Sequence, residues 1–317
     1  MHRVELRTDV SKAAGLEHGS LETSSTVVLP DEIPEHVTVI FAFPGGGYCR
    51  RYYDIQFPAG GYSQAEFHAS RGAVFVACDH PGVGDSTIPD AYLDHDGIAR
   101  INNDTVADVM RRLEAGTDSQ PIRVDKVIGL GQSYGGLLLT VMQANHRTFD
   151  GVGLLGWSGI HTVVNVSMES DPLAFGGDGL QSPLRNAWFW EDVPDEIVRE
   201  DLTDYPARLK GVVPHWASAT MPGGPKAISG DLAVQPGIVK DHAAAIDVPV
   251  LCLFGERDVS TDPWMEATAY RASTDVSMSV VPRMAHMHNF ASTREVAWHR
   301  VHNWTACVPG RATRPKS

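Results

Sequence analysis

The chain has 317 residues, 43% of them hydrophobic, which is enough to bury a large core in one domain. Its formal net charge of −13 argues against nucleic acid or an anionic membrane as a partner. No apolar run approaches the roughly 20 residues that span a bilayer.

The opening residues Met1 to Leu6 hold no apolar signal region. Cys49, Cys78, Cys252 and Cys307 are widely spaced and contain no Cys-x-x-Cys pair, so a cytoplasmic protein with reduced thiols is expected. Leu21 to Leu29 turns from polar to β-branched and apolar before Pro30, which suits an antiparallel strand opening a sheet. Val37 to Phe43 is almost continuously apolar, the mark of a strand buried on both faces. It runs into Pro44-Gly45-Gly46-Gly47. Glycines directly after a buried strand let backbone N–H groups face open space, as an oxyanion hole demands. No Lys-Ser/Thr follows, so this is not a phosphate-binding P-loop.

Ala73 to Cys78 predicts the next strand, which leads into Asp79-His80-Pro81-Gly82-Val83-Gly84-Asp85-Ser86. Ile98, Ile101, Val106, Val109, Met110 and Leu113 then share one face of a helix. A further apolar strand from Val127 ends in Gly131-Gln132-Ser133-Tyr134-Gly135, and the helix-compatible run Leu137 to Met142 follows. Strand, sharp turn, helix is the setting of a nucleophile elbow. The turn strains the backbone at Ser133, so the positions two before and two after must be small, and both are glycine. Gly151 to Trp157 predicts another buried strand. This alternation of strands and amphipathic helices means an α/β fold, a mostly parallel sheet with helices on both faces.

From about His161 to Ala245 the pattern breaks into Pro-, Gly- and Asp-rich sequence, too long for a loop. Residues 161–245 are therefore expected to form an inserted cap lobe, with a short helix after Pro194. Residues 1–160 and 246–310 form the core, and 311–317 a disordered tail. A lobe inserted there covers the strand ends, which makes Trp157, Trp188, Phe189 and Trp190 candidate substrate contacts; filling the lobe's own core is the competing role. The sheet resumes at Val248 to Phe254, ending in Gly255-Glu256-Arg257-Asp258, and a helix is predicted from Asp262-Pro263. Val276 to Val281 predicts the last strand, before Ala285-His286-Met287-His288-Asn289. Ser292-Thr293-Arg294-Glu295 reads as a capping box opening a final helix with Ala297, Val301, Trp304 and Val308 on one face.

A serine hydroxyl needs an adjacent base, and the base needs an orienting acid. The order glycine turn, Ser on an elbow, acid after a late strand and His after the last strand resembles the α/β-hydrolase superfamily, over roughly Val37 to Trp304. The resemblance rests on Gly-Gln-Ser-Tyr-Gly, the Asp79 to Ser86 segment, Gly255-x-x-Asp258 and the late His. It implies Ser133 as nucleophile, Asp258 as acid and His286 as base, with the Tyr134 amide and that of Gly46 or Gly47 as oxyanion donors. His288 competes with His286, and Glu256 and Asp262 with Asp258. Ser at position 133 points away from epoxide hydrolases and haloalkane dehalogenases; the glycine loop is more like that of esterases and lipases, although Pro44 replaces their usual histidine.

The expected activity is a cofactor-independent hydrolysis of a carboxylic ester or lactone with a bulky apolar group. C–C bond hydrolysis or acyl transfer on the same triad, and a non-catalytic ligand-binding protein, are the alternatives. A metal site would have to use Asp79, His80, His286 and His288, without a His-x-His-x-Asp-His pattern, and none is expected. Beyond a small-molecule substrate no partner is implied, and homo-oligomerisation is left open.

Overall fold

A computed structural model of the chain describes residues 1–17, 19–46, 48–57, 60–89, 93–163, 183–199 and 234–310. These form one eight-stranded sheet: β1 (His2–Asp9), β2 (Glu22–Leu29), β3 (Val37–Phe43), β4 (Val74–Cys78), β5 (Val124–Gln132), β6 (Gly151–Leu155), β7 (Val250–Gly255) and β8 (Val276–Val281). Their spatial order is β1-β2-β4-β3-β5-β6-β7-β8. The first two strands run antiparallel and the other six are parallel to one another. The α/β expectation holds.

Successive side chains of a strand point to opposite faces, and β3 shows both destinations. Val39, Phe41 and Phe43 enter one core layer, while Ile40 and Ala42 enter the other. Helices α2 (His95–Ala115) and α3 (Tyr134–His146) pack on each other over the first layer. Helices α1 (Gln64–Ala69) and α7 (Arg294–Cys307) cover the second. The six apolar positions predicted for one face of α2 are all buried. Between these stand α4 (Pro183–Trp188), α5 (Asp195–Arg199) and α6 (Lys240–Ala245). No described helix is long and apolar enough to cross a membrane.

Three local expectations need correction. Strand β1 was not foreseen, although Leu6 and Thr8 are buried and the intervening Glu5 and Arg7 exposed, as period-two alternation requires. The helix expected from Asp262-Pro263 starts there, with Asp262 accepting from Trp264 N and Pro263 in the first turn, but it is a 3-10 helix, Pro263–Thr268. The capping box before α7 does not form: Ser292 Oγ bonds Asp192 and Thr293 Oγ1 bonds the Pro282 carbonyl. Both hydroxyls find tertiary partners that outcompete the helix end. Of the lobe predicted over 161–245, residues 164–182 and 200–233 lie outside the described residues, as do Gly47 and the tail 311–317.

Candidate active site

Parallel strands bring their carboxyl ends to one edge, where an open α/β sheet collects its ligands. β3, β5, β7 and β8 deliver there the glycine loop, Ser133, Asp258 and His286 respectively.

Ser133 caps α3 with φ 52° and ψ −121°, a left-handed conformation that a side chain adopts only under constraint. Its N–H donates to the Leu155 carbonyl at 2.8 Å, and its own carbonyl accepts from Gly136 N at 2.7 Å. A side chain at Gly131 would drive its Cβ into the Gly135 backbone, and one at Gly135 into the Phe43 and Pro44 carbonyls. The small residues are needed because the elbow is pressed between its own helix and the end of β3. Gly45 lies alongside: a Cβ there would sit 3.0 Å from that of Ser133. Gly46 is exposed in the same turn.

His286 Nε2 lies 2.9 Å from Ser133 Oγ, and its Nδ1 lies 2.7 Å from Asp258 Oδ1. An ionised carboxylate only accepts, so the ring proton sits on Nδ1 and Nε2 is left to accept from the serine hydroxyl. The Asp258 side chain is 1% exposed. Burial opposes its ionisation, but the adjacent His288 and the hydrogen bond from His286 outweigh that and hold the carboxyl far below the usual range. A continuous path therefore runs from hydroxyl to imidazole to carboxylate. Gly156, with φ 58°, backs it: a Cβ there would be 3.1 Å from His286 Nδ1 and 3.2 Å from Asp258 Oδ1.

The two rival acids are engaged elsewhere, Glu256 with Arg283 N and Asp262 with Trp264 N. Asp79 is buried and ion-paired with Arg50. His80 Nε2 lies 3.1 Å from the Pro44 carbonyl, and Asn102 Nδ2 lies 2.9 Å from His80 Nδ1. The amide donates to Nδ1, so Nε2–H donates to Pro44 and ties down the glycine turn. Burial pushes the His80 ring down to about 4, so it stays neutral in this duty. The candidate metal ligands are thus split between three hydrogen-bonded sets, and no cluster of three suited to a metal occurs among the described residues.

Trp157 is 1% exposed and packs on Gly136 in the core. Phe189, also 1% exposed, meets Phe290 with ring centroids 5.7 Å apart. Trp188 and Trp190 are half-buried. The Trp188 carbonyl accepts from Met287 N at 2.9 Å, and Arg257 stacks over the Trp190 ring at 4.6 Å. Trp188 and Trp190 thus dock on the loops that carry His286 and Asp258.

Gln132, Glu266 and Asn102 escaped the sequence reading, and His288, weighed there as the rival base, takes a different part. His288 Nε2 lies 2.7 Å from Asp258 Oδ2; the contact joins two loops and has no local signature. Gln132 Nε2 donates to the His286 carbonyl at 3.2 Å. Glu266, 1% exposed, accepts from Ser158 Oγ, Gly159 N and Ser260 Oγ, stitching the loop after β6 to the loop after β7. Burial pushes its carboxyl upward. Asn102 did leave a signal, a polar residue one helical turn after Ile98 on the apolar face of α2.

A model of the "Alpha/beta hydrolase family" matches residues 39–297. No curated protein matches the chain in sequence. Among solved structures, a membrane phospholipase A described as a bacterial virulence factor aligns with TM-score 0.64 and 16% identity over 96% of this chain and 86% of that one. An esterase from Exiguobacterium antarcticum aligns with TM-score 0.65 and 14% identity, covering 90% and 96% of the two chains. A bromoperoxidase from Bacillus anthracis aligns with TM-score 0.60 and 14% identity, covering 96% and 98%. At such identities the likeness is one of fold, and the three names already span different chemistries.

Proposed function

The chain belongs to the alpha/beta hydrolase family, and on that basis we propose that it hydrolyses carboxylic esters or lactones through an acyl-enzyme on Ser133. The observation that carries this reading is the unbroken path from Ser133 Oγ through His286 to Asp258, 2.9 Å and then 2.7 Å, on a strained elbow. His286 Nε2 takes the hydroxyl proton as Oγ attacks the substrate carbonyl. The amide of Tyr134, with that of Gly46 or Gly47, receives the oxyanion, because fixed donors cost no reorganisation as charge develops. Collapse expels the alkoxide, which takes the proton from His286; water then enters by the reverse sequence and releases the acid. Asp258 stays ionised throughout and stabilises the imidazolium.

Trp188 and Trp190, the aromatics of the cluster with accessible surface, meet a bulky apolar acyl group; Trp157 and Phe189 act beneath that surface as packing. A panel of aryl esters, lactones and vinylogous diketones tests the reading. Esters with longer acyl chains should turn over faster than acetates, and added hydroxylamine should divert the acyl group to a hydroxamate. Turnover confined to the diketones would replace ester hydrolysis by C–C cleavage. Loss of turnover on chelation, restored by zinc, would overturn the serine mechanism.

A further inference from the structure

Each oxygen of the Asp258 carboxylate receives one ring N–H and one backbone N–H. Oδ1 accepts from His286 Nδ1 at 2.7 Å and Val259 N at 2.8 Å, and Oδ2 from His288 Nε2 at 2.7 Å and Gly255 N at 2.8 Å. Its accepting capacity is filled. Both rings come from one tight turn, in which His288 N donates to the His286 carbonyl, and they stand edge to face at 6.4 Å. The His288 ring is 4% exposed, and its Nδ1 is buried with no partner among the described residues. An orphaned ring nitrogen costs about 1–3 kcal/mol. The bond to Asp258 is what offsets it.

From this we infer that His288 is a positioning residue of the proton relay, setting through Asp258 both the aim and the proton affinity of His286. It touches neither Ser133 nor substrate. A second ring donor pins the carboxylate plane so that Oδ1 faces His286 Nδ1. It also draws charge from the carboxylate, so Asp258 holds the His286 proton less tightly than a singly bonded carboxylate would. The other charged groups packed around the turn are turned elsewhere. Arg257 reaches Glu191 and the Phe189 carbonyl, Glu256 accepts from Arg283 N, Arg283 pairs with Asp192, and Glu266 holds Ser158 and Ser260. Asp258 and the two rings thus form a local unit. The inference rests on the hydrolase reading above.

The test is the pH dependence of Ser133 phosphorylation by diisopropyl fluorophosphate, together with proton NMR of the ring N–H signals in ¹⁵N-histidine protein. For His288→Ala the plateau rate should fall roughly 10- to 100-fold, and the acid limb should move up by about half to one pH unit, since the unshared carboxylate retains the His286 proton to higher pH. His288→Gln, whose amide N–H can replace Nε2–H, should recover the limb and most of the rate. A role in stability alone would lower the melting temperature and the reactive fraction but leave the limb in place, which would overturn the inference. In the wild-type protein, titrating one ring should shift the N–H signal of the other; independent movement overturns the inference even if neither variant folds. If the wild type is not phosphorylated, the hydrolase reading fails, and the NMR arm still decides the coupling.

Discussion

Ser133 is set in place by backbone geometry, whereas Asp258 and His286 are set in place by side-chain hydrogen bonds. On the nucleophile side the constraints are steric: φ 52° at Ser133, and glycines at 131 and 135 pressed against neighbouring backbone. On the acid-base side the constraints are bonds from scattered residues. Gln132 holds the His286 carbonyl, His288 the far oxygen of Asp258, Asn289 the Tyr52 carbonyl, and Glu266 the two flanking loops. Steric constraints fail abruptly, since packed backbone has nowhere to move. Bonded networks fail by degrees, because water or a neighbour replaces part of each lost bond. The two sides should therefore answer mutation differently.

The largest expected effect bridges both sides. Ser133→Ala should lower kcat roughly 10⁴-fold or more with the fold intact, and His286→Ala nearly as far. The double variant should lose no more than either single one, because the two groups act as a unit; additive losses in steady-state kinetics would separate them. Next comes the steric side alone. Gly135→Ala should cost about 3 kcal/mol or more in chemical denaturation, since its Cβ meets carbonyl oxygens on β3 and beyond. A loss below 1 kcal/mol would mean the elbow is softer than its geometry implies.

A buried histidine far from the triad supplies a contrast with the fully bonded Asp258. His68 is fully buried with neither ring nitrogen partnered among the described residues, and burial, with His302, Arg71 and His299 nearby, pushes it down to about 3. A depressed histidine means the unfolded chain binds the extra proton, so stability is complete above about pH 6.5 and is lost as pH falls toward 3. At pH 5 the loss from this residue is about 2 kcal/mol. His68→Phe, which keeps the stacking on Phe75, should narrow the gap in melting temperature between pH 7.5 and pH 5. It should leave the acid limb of the reaction rate where it was. The lowered Asp258 carboxyl has the same sign, its contribution being present above its unfolded value and lost only at more acidic pH than that of His68. The smallest effect tests the bonded side. Glu266→Gln should lower kcat roughly tenfold with little change in melting temperature, through loosened loops on either side of Asp258. An unchanged kcat would confine Glu266 to packing.

The same contrast explains what could be read from the sequence. Backbone strain is written locally, so Gly131, Ser133 and Gly135 announce the turn within five consecutive positions, and strand alternation places that turn at the sheet's carboxyl edge. Bonds between loops leave no such mark. His288 is 30 positions from Asp258, and nothing local distinguishes a ring that meets a carboxylate from one that bonds its own loop. Strand β1 went unread because its alternation is carried by residues as weakly apolar as Thr8. Ser292 and Thr293 match a capping box by type, yet tertiary acceptors claim both hydroxyls.

The central claim is that Ser133 is a nucleophile activated by His286 and Asp258. Peptide mapping by mass spectrometry after treatment with a fluorophosphonate measures it most directly. One adduct per chain is expected, located on Ser133, absent in Ser133→Ala and formed at a greatly reduced rate in His286→Ala. An adduct that persists in Ser133→Ala, or labelling of Ser133 at an unchanged rate without His286, would contradict it.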